Sequence, residues 1–161
     1  MGPKLPLKRA KTIADKTAAK EKKAAADVVA EAGDVQPVAG RLPRNHEFAG
    51  KEFPRDQLPA RYRSKGLKFK DDGYPDFGPY AKELPNGKKA VKIEYTGSRA
   101  KDFAAADAEA GFVRRPEGYV WHHNEKIGVM ELIPKDLHDA VKHTGGVAGY
   151  KHVTGIEDYG N

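Results

Sequence analysis

Residues 119–123 read Tyr119-Val120-Trp121-His122-His123, and a glycine turn leads from them to Val129-Met130-Glu131-Leu132-Ile133-Pro134. Tyr, Val and Trp are strong strand formers, so residues 118–123 are predicted to form one strand and residues 129–133 a second. Pro134 suits the first turn of a helix, where its missing N–H is no loss, and that helix is predicted over residues 135–143. The expected unit is therefore strand, turn, strand and helix, with Gly145 and Gly146 ending it.

Four of the six histidines lie within this stretch, in a chain that has no cysteine. Without thiolates, a transition metal must be held by imidazole and oxygen. Adjacent strand residues point to opposite faces, so His122 and His123 cannot both be ordinary ligands of one ion in regular geometry. At a strand end, one imidazole can bind a metal while its neighbour takes a proton from water. We expect His122, His123 and His138 to meet around one divalent ion, with His123 left free to activate solvent.

His143 is harder to place. It follows His138 by five residues, which is about 140° around a regular helix, so the two share no face. They can converge only if the helix ends or tightens before His143, which Gly145-Gly146 makes possible. Taken singly, each histidine is more often a polar surface or cap residue, and Trp121 is expected in the core. The four histidines together are stronger evidence for a functional site than any one of them alone.

Composition limits the function classes. The chain has 161 residues and a formal net charge of +6, which favours a polyanionic partner. No apolar run approaches the roughly 18 residues that cross a bilayer, so no membrane contact is expected. The N-terminus shows no hydrophobic leader segment.

The chain divides at about residue 36. Residues 1–36 are rich in Ala and Lys and contain no aromatic residue, which predicts a basic tail or linker, helical or disordered. Such a tail could be an arm that touches phosphates, but a solvated linker is the preferred interpretation. Residues 37–161 are predicted to form the folded domain.

Within that domain, residues 45–80 are rich in Pro, Gly and aromatics, which predicts an irregular wrap with one short helix at residues 58–64. A strand is predicted at residues 90–95 and a helix at residues 98–110, with Gly111 as its cap.

The histidine stretch carries a longer pattern. Trp-His-His is followed by Gly-x-Met-x-Leu-Ile-Pro-x-x-Leu-His-x-x-x-x-His-x-Gly-Gly over residues 121–146. This pattern resembles the Trp-His-His branch of the HNH/endonuclease VII superfamily, nuclease domains found at the C-termini of bacterial polymorphic toxins. Weaker matches lie upstream, in residues 73–80, 91–94, 96–99 and 102–105.

The resemblance implies an α+β fold with a ββα-metal finger as its nuclease core, placed in residues 37–161. It implies that His122 is the first metal ligand at the catalytic centre, His123 the general base and His138 the helix ligand. His143 becomes a further ligand or a phosphate contact. The implied cofactor is one divalent metal ion, with Mg, Zn, Ni and Mn as the options.

The chain departs from the wider superfamily at Val129, where many members carry an asparagine nine residues before the helix histidine. That asparagine ties the turn to the strand that bears the base. Asn124 and Glu131 are the expected substitutes. Arg99, Glu94 and Lys92 are expected on the substrate side, although a solvated surface explains them equally well.

The expected activity is metal-dependent phosphodiester hydrolysis, with DNA preferred over RNA, in an antibacterial toxin domain. The resemblance also implies an acidic immunity protein as partner, and secretion within a larger effector that acts in the target-cell cytoplasm. Two rival interpretations stay open. One is a non-catalytic basic module that binds nucleic acid and holds a structural metal; the other is a plain globular domain with scattered histidines.

Overall fold

A computed structural model describes residues 35–161, so most of the predicted tail at residues 1–36 lies outside the described residues. The described part is α+β, as predicted, and centres on a three-stranded antiparallel sheet of order β1-β3-β2. The strands are β1 (Val91–Lys92), β2 (Tyr119–His123) and β3 (Val129–Pro134).

The predicted strand–turn–strand–helix unit is present. β2 and β3 pair so that His122 faces Glu131 and His123 faces Met130. Gly128, with a φ of +92°, completes the turn between the strands. Helix α2 (Lys135–Ala140) follows β3 directly, with Pro134 at its N-cap. The helix was expected to run to residue 143, but it ends three residues earlier.

Helix α1 (Arg99–Ala110) was predicted almost to the residue. The Ser98 side chain accepts a hydrogen bond from the Lys101 backbone N–H, which caps the N-terminus. Gly111 adopts a left-handed conformation at the C-cap, where glycine carries no Cβ penalty. A third helix, α3 (Gly146–Thr154), follows the histidine unit.

Both faces of the sheet are covered, each by its own apolar cluster. On one face Trp121, Met130 and Leu132 pack with the alanines of α1. On the other face Ile133 packs with Leu137 of α2 and with the aromatic residues of the wrap. Trp121 is a core residue, as expected, with 1% of its surface exposed.

The wrap, residues 45–80, is irregular as predicted. Its only helical pieces are short 3₁₀ turns, one of them at Ala60–Tyr62 inside the segment predicted to be helical. The strand predicted at residues 90–95 is shorter than expected. Beyond Lys92, Ile93 still donates its backbone N–H to Gly128, and the chain then turns at Gly97. No helix within residues 35–161 is both long and apolar enough to cross a membrane.

Candidate metal and catalytic site

Three imidazoles meet on the face of the sheet that α2 and the wrap cover. His122 comes from the end of β2, His138 from α2 and His143 from the loop that follows α2. Their ring centroids are 4.7–5.4 Å apart in pairs. One possible ligand nitrogen from each ring lies within 4.8 Å of the other two. These three are the residues that the resemblance implied as metal ligands, with a phosphate contact as the alternative for His143.

His143 reaches this group because α2 is short. The helix ends at Ala140, and Val141 takes an extended conformation with φ −106° and ψ 99°. The chain therefore leaves the helical path before His143, which removes the 140° mismatch with His138. The Val141 carbonyl then accepts a hydrogen bond from His143 Nδ1 at 2.6 Å. Because a carbonyl only accepts, Nδ1 carries the hydrogen and Nε2 is the nitrogen left for a ligand.

Residues far upstream in the chain hold the loop that carries His143. The Arg44 backbone N–H donates to Thr144 Oγ1 at 3.0 Å, and Asn45 Nδ2 donates to the Lys142 carbonyl at 2.6 Å. Phe77, which is 1% exposed, contacts the rings of all three histidines, with centroids 4.9–5.9 Å away. The wrap therefore packs against the site, as the sequence predicted, although Phe77 was not singled out for this contact.

The electrostatics keep the three imidazoles neutral. Burial, together with the other two rings of the group, lowers the pKa of His122 well below its ordinary value. Burial and the neighbouring His143 lower the pKa of His138 to about 4. Burial also lowers the pKa of His143, although its bond to Val141 opposes the shift. Neutral imidazole is the form that binds metals, so this group suits a cation.

His123 does not join this group, which corrects the expectation that His122, His123 and His138 meet around one ion. The reason is strand alternation: His123 points to the face that α1 covers. Its ring contacts Tyr95, Phe103 and Tyr159, with centroids 5.1, 5.7 and 6.2 Å away. His143 takes the third place instead.

Asp102 of α1 holds the His123 ring. The carboxylate is fully buried, and its Oδ2 lies 2.9 Å from His123 Nε2. Tyr159 donates its hydroxyl to the same oxygen. The other oxygen, Oδ1, accepts from the Thr96 backbone N–H at 2.8 Å and from the Thr96 hydroxyl at 2.7 Å.

These hydrogen bonds determine the charge states of Asp102 and His123. Burial alone would raise the pKa of Asp102, but hydrogen bonds from Tyr159, His123 and Thr96 outweigh it, so the pKa lies below its ordinary value. Burial lowers the pKa of His123, and the bond and charge of Asp102 offset this only in part. The pair is therefore a carboxylate beside a neutral imidazole.

Asn124 and Glu131 do not hold the His123 ring. They hydrogen-bond to each other at 2.9 Å, from Asn124 Nδ2 to Glu131 Oε1, and so brace the turn between β2 and β3. One hint of the true partner was present in the sequence, because Asp102 opens the motif Asp102-Phe103-Ala104-Ala105 in the upstream resemblance.

The two predicted substrate-side residues differ in placement. Arg99 lies near the His123 cluster: Nη1 donates to the Tyr159 carbonyl at 3.1 Å, and its charge acts to lower the pKa of His123. Glu94 has an exposed side chain beyond the end of β1 and lies outside the group of three imidazoles. Lys92, on β1, is also exposed.

Gly145 and Gly146 let the chain cross closely over the end of β2. A Cβ at residue 145 would lie 2.7 Å from the His123 carbonyl oxygen. One at residue 146 would lie 2.2 Å from the Asn124 carbonyl oxygen and 2.4 Å from the Tyr95 hydroxyl. Only glycine permits this approach, and it brings the loop that carries His143 close to the end of β2.

The same segment matches a known family. The model of the WHH family, described as a nuclease of the HNH/ENDO VII superfamily with conserved WHH, matches residues 111–152. No curated protein matches the chain. The matched segment carries all four site histidines and the Trp121-His122-His123 triplet. Over residues 111–152 this chain is therefore similar to the WHH nucleases of the HNH/ENDO VII superfamily, which supports the resemblance read from the sequence.

Proposed function

We propose that this nuclease is a metal-dependent endonuclease that hydrolyses phosphodiester bonds in DNA. The observation that carries the proposal is the group of three neutral imidazoles, one buried and two half-buried, within the segment that matches the WHH family. His123 directly follows one of them, His122, at the end of β2. Nitrogens that share one ion at metal–nitrogen distances of about 2.0–2.1 Å lie about 3.4 Å apart in tetrahedral geometry. The imidazole nitrogens, within 4.8 Å of one another, reach that spacing by a small rotation of their side chains.

The donor set narrows the choice of metal. Three imidazoles suit Zn or Ni, whereas Mg and Mn prefer oxygen ligands. Of the four metals expected from the resemblance, we therefore propose Zn or Ni, held by His122, His138 and His143. A divalent ion bound there would offset the negative charge that builds up on the phosphate and the leaving oxygen.

The remaining steps are assigned to side chains of the chain itself. His123 takes a proton from the attacking water while the new P–O bond forms and the bond to the leaving oxygen breaks. Neutrality of the imidazole, which burial maintains, is the state this step requires. Arg99 contacts a substrate phosphate, because within residues 35–161 only one of the five N–H donors of its guanidinium is used, by the Tyr159 carbonyl. We assign no step to Glu94.

The biological setting follows from the resemblance and the charge. We propose an antibacterial toxin domain, secreted as part of a larger effector and acting on DNA in the cytoplasm of the target cell. The net charge of +6 supports a polyanionic substrate. It equally supports an acidic immunity protein that blocks the same surface.

A non-catalytic module with a structural metal is the main competitor. Structural zinc sites are normally closed by four protein ligands, while catalytic sites keep a position open. Within residues 35–161 the imidazole group has three members, with no cysteine, aspartate or glutamate completing it. That count favours an open, catalytic site.

The decisive experiment incubates the purified chain with plasmid DNA and with RNA, after chelation and after addition of Zn, Ni, Mn or Mg. Cleavage of DNA that chelator abolishes and Zn or Ni restores supports the proposal. Preferential cleavage of RNA would correct the substrate. Stoichiometric metal binding without cleavage of either polymer would favour the structural module.

Two substitutions separate the roles of the histidines. His123→Ala should lower kcat by about 10²–10⁴-fold, the usual contribution of a general base, with metal affinity unchanged. His138→Ala should weaken metal binding measured by calorimetry. His152→Ala is the control, because His152 is exposed and outside the imidazole group. Loss of metal in His123→Ala would make that residue a ligand, and full affinity in His138→Ala would refute its assignment.

A further inference from the structure

The buried carboxylate of Asp102 accepts four hydrogen bonds, two at each oxygen. Thr96 supplies both donors at Oδ1, and His123 and Tyr159 supply those at Oδ2. An ionised carboxylate has about four acceptor positions, so all of them are used. Because every acceptor position has a donor, the Asp102 carboxylate can stay ionised although it is buried between α1 and the sheet. A buried charge without such partners would be costly.

The same bonds determine which nitrogen of His123 is free. A carboxylate only accepts, so the Nε2 that lies 2.9 Å from Oδ2 must carry the hydrogen. The proton of the neutral ring is then on Nε2, and Nδ1 holds the lone pair. Tyr159 cannot compete for that hydrogen, because its hydroxyl is itself a donor to Oδ2.

We propose that Asp102 is the positioning residue of this nuclease: it fixes His123 in the Nε2–H tautomer, so that Nδ1 is the atom that accepts the proton from water. The inference rests on the proposed role of His123 as general base. Tyr159 and Thr96 keep the carboxylate oriented and act through Asp102.

Substitution by asparagine tests the tautomer and not merely the shape. In Asp102→Asn the two Thr96 donors require an acceptor, so the amide oxygen faces Thr96 and the NH₂ group faces His123. A donor opposite Nε2 favours the other tautomer, which places the proton on Nδ1. We expect kcat to fall by at least about tenfold, towards the 10²–10⁴-fold contribution of a general base. KM and zinc affinity should change little.

Alanine provides the contrast. Asp102→Ala removes the carboxylate and leaves the tautomer of His123 free, so its kcat should be no lower than that of Asp102→Asn. A purely structural role gives the opposite order, because asparagine has the same shape and alanine leaves a cavity. Higher activity in the asparagine variant than in the alanine variant would overturn the proposal.

Asp107→Asn is the matched control. Asp107 lies on the same helix and is also a hydrogen-bonded carboxylate, but its partners are Arg115 and Trp121. This variant should lose stability and keep its kcat under conditions where it is folded. A loss of kcat equal to that of Asp102→Asn would show that damage to α1 explains both.

Nitrogen-15 NMR of the full chain with bound zinc supplies a readout that needs no cleavage. The ring signals of His123, identified by their absence in His123→Gln, should show the Nε2–H tautomer. The Nδ1–H tautomer would overturn the proposal, even if every Asp102 variant failed to fold. A native chain that shows Nε2–H but cleaves no polynucleotide would refute the proposed function and leave the Asp102 geometry intact.

Discussion

The contrast between Gly146→Ala and Gly149→Ala tests the link between fold and site most directly. Both glycines lie in α3, and neither has a positive φ. At residue 146 a Cβ would lie 2.2 Å from the Asn124 carbonyl oxygen. At residue 149 the nearest atoms belong to the side chain of Ile127, at 3.7 Å, which is ordinary contact. The same added methyl group therefore clashes with backbone at residue 146 and makes an ordinary side-chain contact at residue 149.

The expected magnitudes follow from these distances. Carbon and oxygen atoms in contact are about 3.3–3.6 Å apart, so α3 and the end of β2 must separate by about 1 Å in Gly146→Ala. Overpacking of this kind costs about 1–3 kcal/mol in the free energy of unfolding. Gly149→Ala should instead raise it by about 0.5–1 kcal/mol, because alanine loses less backbone entropy in a helix.

Urea unfolding with chelator present measures both changes, and calorimetry with zinc measures the effect on the site. His143 lies three residues before Gly146, and metal–ligand distances tolerate only about 0.2 Å. We expect zinc affinity to fall at least about tenfold in Gly146→Ala and to stay unchanged in Gly149→Ala. Equal stability of the two variants, or full zinc affinity in Gly146→Ala, would refute the close-approach argument.

Three further predictions concern His143 and Asp107. His143→Ala should abolish most of the stabilisation by zinc, which is about 2.7 kcal/mol in the free energy of unfolding at a zinc concentration of 100 Kd and is measured as a rise in melting temperature; His152→Ala should keep it. Asp107→Asn should cost about 1.5–3 kcal/mol by urea unfolding, because the carboxylate accepts from Trp121 and from two nitrogens of Arg115; a loss below 0.5 kcal/mol would contradict its role. Burial would raise the pKa of Asp107, but the hydrogen bonds from Arg115 and Trp121 lower it overall. The stabilisation that Asp107 contributes is therefore present above the ordinary carboxyl pKa and is lost as the pH falls through the lowered pKa of the folded state. The gap between native chain and Asp107→Asn should therefore close in acid, and a gap that widened would reverse the sign.

Local signals in the sequence predicted the secondary structure of the histidine unit well. Ser98 and Gly111 marked the ends of α1, because capping depends on residues at the helix termini. Alternation along β2 predicted that His122 and His123 face opposite sides. The end of α2 was missed, because no glycine or proline follows Ala140 directly and the chain is drawn out of the helix by contacts around His143.

The partners of the site were hidden because they are remote in the chain. Asp102 lies 21 residues before His123, and Tyr159 lies 57 residues after Asp102. Arg44 contacts Thr144 across 100 residues. Side chains at such separations meet only through the fold, so composition and periodicity carry no signal for them. Asn124 and Glu131 were expected to replace the asparagine that this chain lacks at residue 129. Glu131 instead pairs with His122 in the sheet, and its side chain accepts a hydrogen bond from Asn124.

The contact of Phe77 with all three imidazoles determines how much of this chain must be transferred to another protein for the site to remain complete. A chimera that inherits residues 111–152 alone would carry all four site histidines but lack Phe77 and Asp102. It would also lack Arg44 and Asn45, which hold the loop that carries His143. The proposed metal ligands would then have no aromatic neighbour, and the proposed base would have no carboxylate. A transferred segment should therefore bind metal and cleave only when it begins upstream of residue 44, so that it includes the wrap as well as the histidines.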